Sequence, residues 1–386
     1  MIKKRIICLS LGLFLGFLYG WGQQSSVLSG LKSKKLKILE VTAISDSSLP
    51  ENVVVEIPVS ISLHGNGDIF VCDGKAADVK RFDAAGKFLG TIGRKGQGPG
   101  EFFAPSMVHV SENYLVVWDR STRKLSLLTR AGRFLKALPF AQAREGYPMQ
   151  IRSLSDGKFV IETERVNYQD ERYPQECLIC LHSSQMEFIK TLYARPVFRF
   201  KPIYDPGYAE VHQPYNPRVY WDVTPGGKVV IGFSDKYEIE IHDPEKGKLQ
   251  TLSGNYVPVK VTEDDKEEYF SAMNVSFVTK DGQRTTKKGA PAYIINNTLF
   301  PRYKPAFNSL RADSEGNIWV HTYRESREEE KRTFDAFSDR GEYIGKIEIL
   351  PPGEYPRSGT TIRDGCFWKI ESDKDGMNKI TKYKIS

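Results

Sequence analysis

The sequence lacks several features that would assign a function directly. Its 386 residues include only five cysteines and six scattered histidines, with no H-E-x-x-H spacing that would suggest a metalloprotease. No apolar run beyond the N-terminus is long enough to span a bilayer, and glycine and proline follow no fibrous repeat. With 40% hydrophobic and 27% charged residues, the composition excludes a disordered chain, a fibre and a multi-span membrane protein. A globular protein remains.

The N-terminus has the pattern of a secretory signal peptide. Three basic residues at positions 3–5 precede an apolar run, Ile6–Tyr19, which ends in the small-x-small triplet Gly20-Trp21-Gly22. We therefore expect cleavage near Gly22, which leaves residues 23–386 as one periplasmic or secreted domain. A retained membrane anchor is the alternative, although the run is shorter than the roughly 20 residues that a span needs. Cys8 lies near the start of the run, so no lipid attachment is expected there.

The net charge does not favour a nucleic-acid partner. The formal charge is +7, and removal of the predicted signal peptide lowers it to +4 because three basic residues are lost. The remaining basic residues are spread along the chain and form no arginine-rich helix. We expect no nucleic-acid binding and no integral membrane span after cleavage.

Six short apolar runs, each preceded by a turn, form a repeat. Their spacings are 46, 44, 70, 89 and 49 residues, so three intervals match the roughly 40 to 50 residues of a four-stranded propeller blade. Continuous rather than alternating apolar residues predict strands that are buried on both faces. The sequence therefore predicts an all-β protein, a six-bladed β-propeller of four-stranded blades, with the runs beginning at Ile69, Leu115, Phe159, Val229, Ile318 and Phe367.

The sixth blade is incomplete at the C-terminus. After a strand-like stretch at 378–384 the chain stops, so the outermost strand of this blade is missing. The segment Leu36–Ile44 precedes the first blade and has strand-like composition. We predict that it closes the ring by pairing with the last blade, which removes an exposed sheet edge.

Two segments resemble a known family. Val79–Phe102 reads VKRFDAAGKFLGTIGRKGQGPGEF, and Tyr303–Val320 reads YKPAFNSLRADSEGNIWV. Both look like the six-bladed β-propellers of bacterial exported proteins, which are related to NHL-repeat propellers. In that family a strand ending in Ile-Gly runs through a glycine-rich loop into the next blade. The resemblance implies the fold but not the function, because such propellers include lactonases, lyases and binding scaffolds.

Two motifs that suggest chemistry are interpreted as structural. Gly93–Gly100 is rich in glycine, but no Gly-Lys-Ser/Thr follows and no helix is predicted after it, so a blade-to-blade turn is expected instead of a phosphate site. Cys177 and Cys180 form a C-x-x-C within a predicted strand, where alternation directs the two thiols to opposite faces. We predict that both cysteines are buried and inert.

Two long insertions stretch the repeat, and both connect the outer strand of one blade to the inner strand of the next. Arg195–Tyr220 is rich in aromatic and basic residues, and Ser253–Asn308 begins with Thr262–Asp265, the N-cap and acidic first turn of a short helix to about Ala272. We expect both insertions on the face that carries the glycine-rich loop. They either form the functional surface or only cover the channel mouth.

Alignment of the predicted inner strands gives a polar column that we expect to line the central channel. It contains Gln150, Arg152, Tyr220, Asp222 and Arg311, while the interleaved positions, which include His109, are mainly apolar. Arginines that converge on one aspartate suggest an anionic ligand or an internal salt-bridge network, and the sequence leaves both open.

These patterns favour a non-catalytic propeller that binds a small anionic ligand, a glycan or a protein, with no catalytic residue, metal or cofactor assigned. The alternative is a hydrolase or lyase of the lactonase type with a metal on the axis. Such a metal needs several oxygen ligands, whereas the column supplies Asp222 alone, beside arginines that would repel a cation. The predicted ligand-binding residues are Gln150, Arg152, Tyr220, Asp222, Arg311, Arg199, Tyr204 and His212.

Overall fold

A computed structural model of the chain describes residues 33–36, 38–45, 48–139, 146–166, 175–197, 202–203, 209–210, 213–254, 256–278, 284–323, 332–349, 362–372 and 378–386. The predicted signal peptide and three predicted site residues, Arg199, Tyr204 and His212, lie outside these ranges. No helix within them is long and apolar enough to cross a membrane.

The first three blades are antiparallel four-stranded sheets whose strands follow one another in chain order. We number the strands of each blade from the channel outwards. Blade 1 contains Pro58–Leu63, Ile69–Asp73, Asp78–Phe82 and Phe88–Ile92. Blade 2 contains Pro105–Val110, Tyr114–Asp119, Lys124–Thr129 and Phe134–Pro139. Blade 3 contains Tyr147–Ser153, Phe159–Val166, Gln175–His182 and Phe188–Val197.

The other three sheets complete the ring. Blade 4 contains Val219–Val223, Val229–Phe233, Glu238–Asp243 and Gly247–Ser253. Blade 5 contains Phe307–Ala312, Ile318–Thr322, Arg332–Phe337 and Tyr343–Ile349, with Ser33–Leu36 added in parallel at its outer edge. In blade 6 the described strands are Cys366–Ser372, Asn378–Ile385 and, outermost, Ile38–Ile44. Ile362 bridges to Asp313 of blade 5.

The hydrophobic core is divided among the seams between neighbouring blades. The described residues form six clusters of buried side chains, and each cluster draws its residues from two adjacent blades. The second strands lie between two such clusters, and all five residues of Ile69–Asp73 are buried. This explains the continuous apolar runs in the sequence and confirms that both faces of each blade are covered.

The N-terminal segment joins blades 5 and 6. Ile38–Ile44 pairs antiparallel with Asn378–Ile385 and takes the outermost place of blade 6, the position predicted for it. Leu36, which the sequence assigned to the same strand, instead pairs with Ile349 of blade 5. One short N-terminal segment therefore adds an outer strand to both blade 5 and blade 6 and spans the seam between them.

The glycine-rich loop is a blade-to-blade turn, as predicted. Gly93 and Gly100 both have φ near +77°, a left-handed conformation that favours glycine. Glu101 folds back over the loop and accepts hydrogen bonds from the Gly98 N–H (2.9 Å) and from Arg94 Nε (2.8 Å). The following Phe102 is fully buried between blades 1 and 2, so the loop anchors one blade against the next.

The second insertion contains two helices, Glu263–Ser271 and Ala292–Asn296, and a hairpin of Asn274–Val278 and Arg284–Lys288. Thr262 caps the first helix through a reciprocal capping box with Asp265, which confirms the predicted helix start. In the first insertion, the two-residue strands Pro202–Ile203 and Ala209–Glu210 pair with each other.

A largely buried lysine fastens this insertion to the ring. Lys304 donates to Asp265 at 2.9 Å, and both side chains are nearly buried. The Lys304 ammonium also lies 5.6 Å from the ring centre of Tyr215 in the first insertion and 5.7 Å from that of Tyr323 in blade 5. The described part of the second insertion is therefore held to both neighbours.

Candidate functional site

The candidate site is a cavity of about 470 Å³ at one end of the central channel. It forms where the first strands end and turn into the second strands, so all six blades contribute to its wall. The lining segments are Ser62–Gly65, His109–Asn113, Arg152–Ser155, Asp222–Pro225, Ala312–Ser314 and Ile362–Asp364.

The position of this cavity corrects the predicted placement of the site. The glycine-rich loop and both insertions lead from a fourth strand into the start of the next first strand. Arg152 and Asp222, however, lie towards the ends of their first strands and line the cavity at the opposite mouth. The prediction that the insertions and these charged residues surround one mouth is therefore wrong, since a first strand begins on one face and ends on the other.

A charged cluster forms the inner wall of the cavity. Arg152 Nε donates to Asp222 Oδ1 at 2.7 Å, and Arg311 Nη1 lies 3.6 Å from Asp222 Oδ2. Burial alone would raise the pKa of Asp222, but the Arg152 and Arg311 guanidiniums outweigh it and hold the pKa below its usual value. Burial in turn lowers the pKa of Arg311 to about 10. Asp222 is therefore ionised and Arg311 protonated at neutral pH, and with the Arg152 guanidinium the cluster holds two positive charges against one negative.

Polar side chains of the first strands also join neighbouring blades. Ser60 Oγ and Ser62 Oγ accept from the Val108 and Val110 N–H groups of the next blade, at 3.2 and 3.0 Å. Asp222 Oδ2 accepts from the Ala312 N–H at 3.2 Å in the same way. These bonds recur because side chains of a first strand alternate between the two neighbouring blades. Together with the ion pairs of Asp222 to Arg152 and Arg311, these bonds form an internal network, which is one of the two alternatives that the sequence offered.

Two other predicted residues fit this pattern away from the cavity. Gln150 Nε2 donates to the Trp221 carbonyl of blade 4 at 3.3 Å. Tyr220 packs against Phe307 of blade 5, with ring centres 5.8 Å apart, and burial raises the pKa of its phenol. Neither residue lines the cavity, and Arg311 lies behind Asp222. Of the predicted site residues that are described, Arg152 and Asp222 border it directly.

A second arginine lies across the cavity from the first. Arg363 Nη1 donates to the His64 carbonyl at 3.2 Å, and its Nε is buried with no hydrogen-bond partner in the described parts of the chain. Arg152 belongs to blade 3 and Arg363 follows Ile362 at blade 6, so the two guanidiniums come from opposite sides of the ring of six blades. Arg152 Nη2 is likewise buried, and no described residue bonds to it.

His109 is a lining residue that the sequence analysis missed. It was assigned to the apolar face of its strand, but it lines the cavity and its ring packs edge-on against Phe159 of blade 3 at 6.3 Å. Burial, together with the nearby charge of Arg152, lowers the pKa of His109 to about 3, and Asp222 opposes this shift only partly. The imidazole is therefore neutral at physiological pH.

This shift predicts a pH-dependent stability that a His109→Gln variant should lack. An unfolded histidine takes up a proton below about pH 6.5, whereas folded His109 refuses it until about pH 3. The wild-type chain should therefore lose up to about 1.4 kcal/mol of stability per pH unit from this residue as the pH falls through that window. Urea unfolding of both chains at pH 7, 5.5 and 4 measures it. Parallel curves for the two chains would contradict the assignment.

The carboxylates at the cavity do not suit a metal ion. Asp313 accepts from the Glu315 and Asn317 main-chain N–H groups, from the Asn317 amide and from Trp319 Nε1. Asp222 is occupied by two guanidiniums and main-chain N–H groups. Within the described ranges no three His, Cys, Asp or Glu side chains are grouped to hold a metal. The lactonase-type metal site therefore has no donor set among these residues.

The four described cysteines form no disulfide. Cys177 and Cys180 lie buried in the third strand of blade 3, as predicted. Burial, reinforced by nearby carboxylates, raises the pKa of Cys72 well above its usual value, so this thiol stays protonated and unreactive.

Comparison with known proteins identifies the fold. The DUF5128 family, described as a 6-bladed β-propeller, matches residues 49–216. No curated protein matches the chain in sequence. Together with the ring of six sheets, the family match confirms a six-bladed β-propeller.

Several solved structures have a similar chain trace at low sequence identity. A Bacteroides fragilis protein described as exported is 14% identical, with a TM-score of 0.49 over 92% of this chain and 100% of its own. A DUF4221 member from Bacteroides vulgatus is 11% identical, with a TM-score of 0.47 over 91% and 98%. Virginiamycin B lyase from Staphylococcus aureus is 13% identical, with a TM-score of 0.39 over 90% and 99%.

Proposed function

We propose that this propeller is an exported, non-catalytic binding protein that takes a small anionic ligand in the cavity formed by the first-to-second-strand turns. Export rests on the basic and apolar pattern of residues 3–22. Binding rests on one observation: two arginines on opposite walls each have a buried guanidinium nitrogen that no described residue bonds.

The balance of donors and acceptors favours an anion. Asp222 and Asp313 are already saturated by hydrogen-bond donors, so neither carboxylate needs a ligand. Arg152 Nη2 and Arg363 Nε, by contrast, are buried donors, and leaving such a group unbonded costs about 1–3 kcal/mol. A carboxylate or phosphate oxygen would remove that cost, and guanidinium groups suit such oxygens in charge and geometry.

Glu112 places a negative charge at the rim of the cavity. Its carboxylate lies 3.4 Å from His64 Nε2, and its side chain is largely exposed. Solvent screens an exposed charge, so Glu112 opposes an incoming anion only weakly. The deeper part of the cavity, where Arg152 lies in front of Arg311, retains the excess positive charge.

Arg363→Gln is the sharpest test of this proposal. Arg363 has no ion pair among the described residues, so the change should remove a ligand contact and cost little stability. We expect inorganic phosphate, succinate, citrate or D-glucuronate to raise the melting temperature of the wild-type chain. Arg363→Gln should weaken binding of that anion about tenfold or more, as expected for loss of a charge-assisted hydrogen bond. Isothermal titration calorimetry at 50 mM salt measures the affinities.

Arg133→Gln is the matched control. Arg133 is an exposed arginine in the turn between the third and fourth strands of blade 2, outside the cavity lining. The Arg133→Gln substitution removes the same net charge as Arg363→Gln and should leave the affinity for the anion unchanged. Equal affinities of the wild type and Arg363→Gln, or no binding of any of the four anions, would refute the proposal. If none of the four anions binds, ordered water is the remaining partner for the buried donors.

A further inference from the structure

The buried edge of His109 points to a second recognition element in the same cavity. His109 is 9% exposed and lines the cavity from blade 2, and its Nε2 is buried with no hydrogen-bond partner in the described ranges. Its neighbour on the next blade is Arg152, whose Nη2 is also without a described partner. Two buried polar groups on adjacent blades therefore need partners at one place.

The two groups differ in what they can bind. The guanidinium of Arg152 only donates and carries a charge, so an anionic oxygen suits it. His109 faces the charged groups Arg152 and Asp222, and its burial, reinforced by the positive charge of Arg152, lowers the pKa and keeps the imidazole neutral. A neutral imidazole nitrogen is either a donor or an acceptor, depending on its tautomer. A hydroxyl group can complement it in either case, whereas a second anionic oxygen can only accept.

The cavity rim offers further donors for hydroxylated ligands. Ser314 Oγ accepts from the Asp364 N–H at 3.0 Å, and Thr224 Oγ1 accepts from the Lys228 N–H at 3.2 Å. Each hydroxyl thus accepts one hydrogen bond from the main chain, and its own O–H group can donate to a ligand. Both residues line the cavity. Its volume of about 470 Å³ exceeds what a bare phosphate or acetate requires and accommodates a monosaccharide.

We infer that the ligand is a hydroxycarboxylate of monosaccharide size, of the uronic-acid class, and that His109 selects it by bonding a hydroxyl group next to the carboxylate held by Arg152. This inference rests on the proposed anion site and adds the class of ligand. Arg152 and Arg363 supply affinity for the charge, and His109 supplies the discrimination between hydroxylated and plain carboxylates. An unmatched buried nitrogen is what penalises the plain acid.

The experiment compares four probes by isothermal titration calorimetry on the wild-type chain: D-glucuronate, D-galacturonate, D-glucose and cyclohexanecarboxylate. Cyclohexanecarboxylate has the size and charge of a uronate but no hydroxyl groups. At least one uronate should bind about tenfold or more tightly than cyclohexanecarboxylate, and glucose should bind more weakly than either acid. Similar affinities for the uronates and cyclohexanecarboxylate would overturn the inference. A chain that binds citrate or phosphate in the titrations proposed above but binds neither uronate would overturn it as well.

Two variants isolate the contribution of His109. His109→Phe should reduce the preference for the uronate to about threefold or less while cyclohexanecarboxylate still binds, because a ring remains but its nitrogen is gone. His109→Gln keeps a group that can donate or accept and should retain most of the preference. Circular dichroism is the control that tests whether both variants are folded. An unchanged preference in folded His109→Phe would refute the role of His109, whereas absence of all anion binding in the wild type would refute the proposed function itself.

Discussion

Replacing Asp222 with asparagine should lower the free energy of unfolding by about 3 to 5 kcal/mol, the range for breaking a buried ion pair by removal of one partner. The side chain is almost fully buried and accepts from Arg152 Nε at 2.7 Å and from the Ala312 N–H at 3.2 Å. Asparagine preserves its shape but leaves the guanidiniums of Arg152 and Arg311 without their shared negative charge. Urea unfolding at pH 7, with tryptophan fluorescence as the readout, measures the loss of stability.

The size of the effect depends on the position of Asp222 in the ring. Its carboxylate contacts blade 3 through Arg152 and blade 5 through both Arg311 and the Ala312 main chain. Loss of the charge therefore weakens two seams at once. The cost arises mainly from the buried cations left behind, since replacing a whole buried ion pair with apolar groups is often neutral.

A second-site change separates this cause from a general loss of packing. Adding Arg311→Met to Asp222→Asn removes one of the buried charges and should recover about half of the lost stability. Glu238→Gln is the control, because its partner Lys236 lies 3.3 Å away and both side chains are more than half exposed. That change should cost less than about 1 kcal/mol. A cost for Asp222→Asn as small as that of the control would show that the buried cluster is not a determinant of stability.

The ring could be predicted from the sequence because its physical requirement recurs. The second strands lie between two clusters of buried side chains, so each contains an apolar run, as Ile69–Asp73 and Tyr114–Asp119 illustrate. The helix start at Thr262 could also be predicted from a short stretch of sequence, since a capping box involves residues three positions apart. Such features are fixed by short stretches of chain, and they were predicted correctly.

The candidate site could be predicted only in part, because its geometry depends on contacts between blades. Arg152 and Asp222 are 70 positions apart in the chain and were correctly placed near each other. His109 was missed because we expected the side chains of a first strand to point alternately into the channel and into the blades. In the structure, Val108 faces the cluster shared with blade 1, while His109 packs on blade 3. A repeat period contains no information about which mouth of the channel widens into a cavity.

Removal of the N-terminal strands should have the other large effect. A chain of residues 46–386 lacks Ser33–Leu36 and Ile38–Ile44, so blade 6 would expose the edge of Asn378–Ile385 along the whole register from Ile44–Ile380 to Ile38–Ile385. Leu36 and Ile44 are buried in the clusters at the two seams of blade 6, and each buried side chain of this kind contributes about 1.5–3 kcal/mol. We expect a melting temperature lower by 10 °C or more, with concentration-dependent aggregation through the open edge.

The comparison chain is residues 23–386, and two further measurements test whether strand pairing is the cause. A chain of residues 33–386 keeps both strands and should melt with the comparison chain. Adding a synthetic peptide of residues 33–45 in excess to the truncated chain should raise its melting temperature and suppress aggregation, because the peptide can occupy the same edge. In a peptide with Leu36→Asp and Ile44→Asp the two buried anchors carry charges, so this peptide should not rescue the truncated chain. If the truncated chain is as stable as the comparison chain, the pairing at blade 6 does not hold the ring closed.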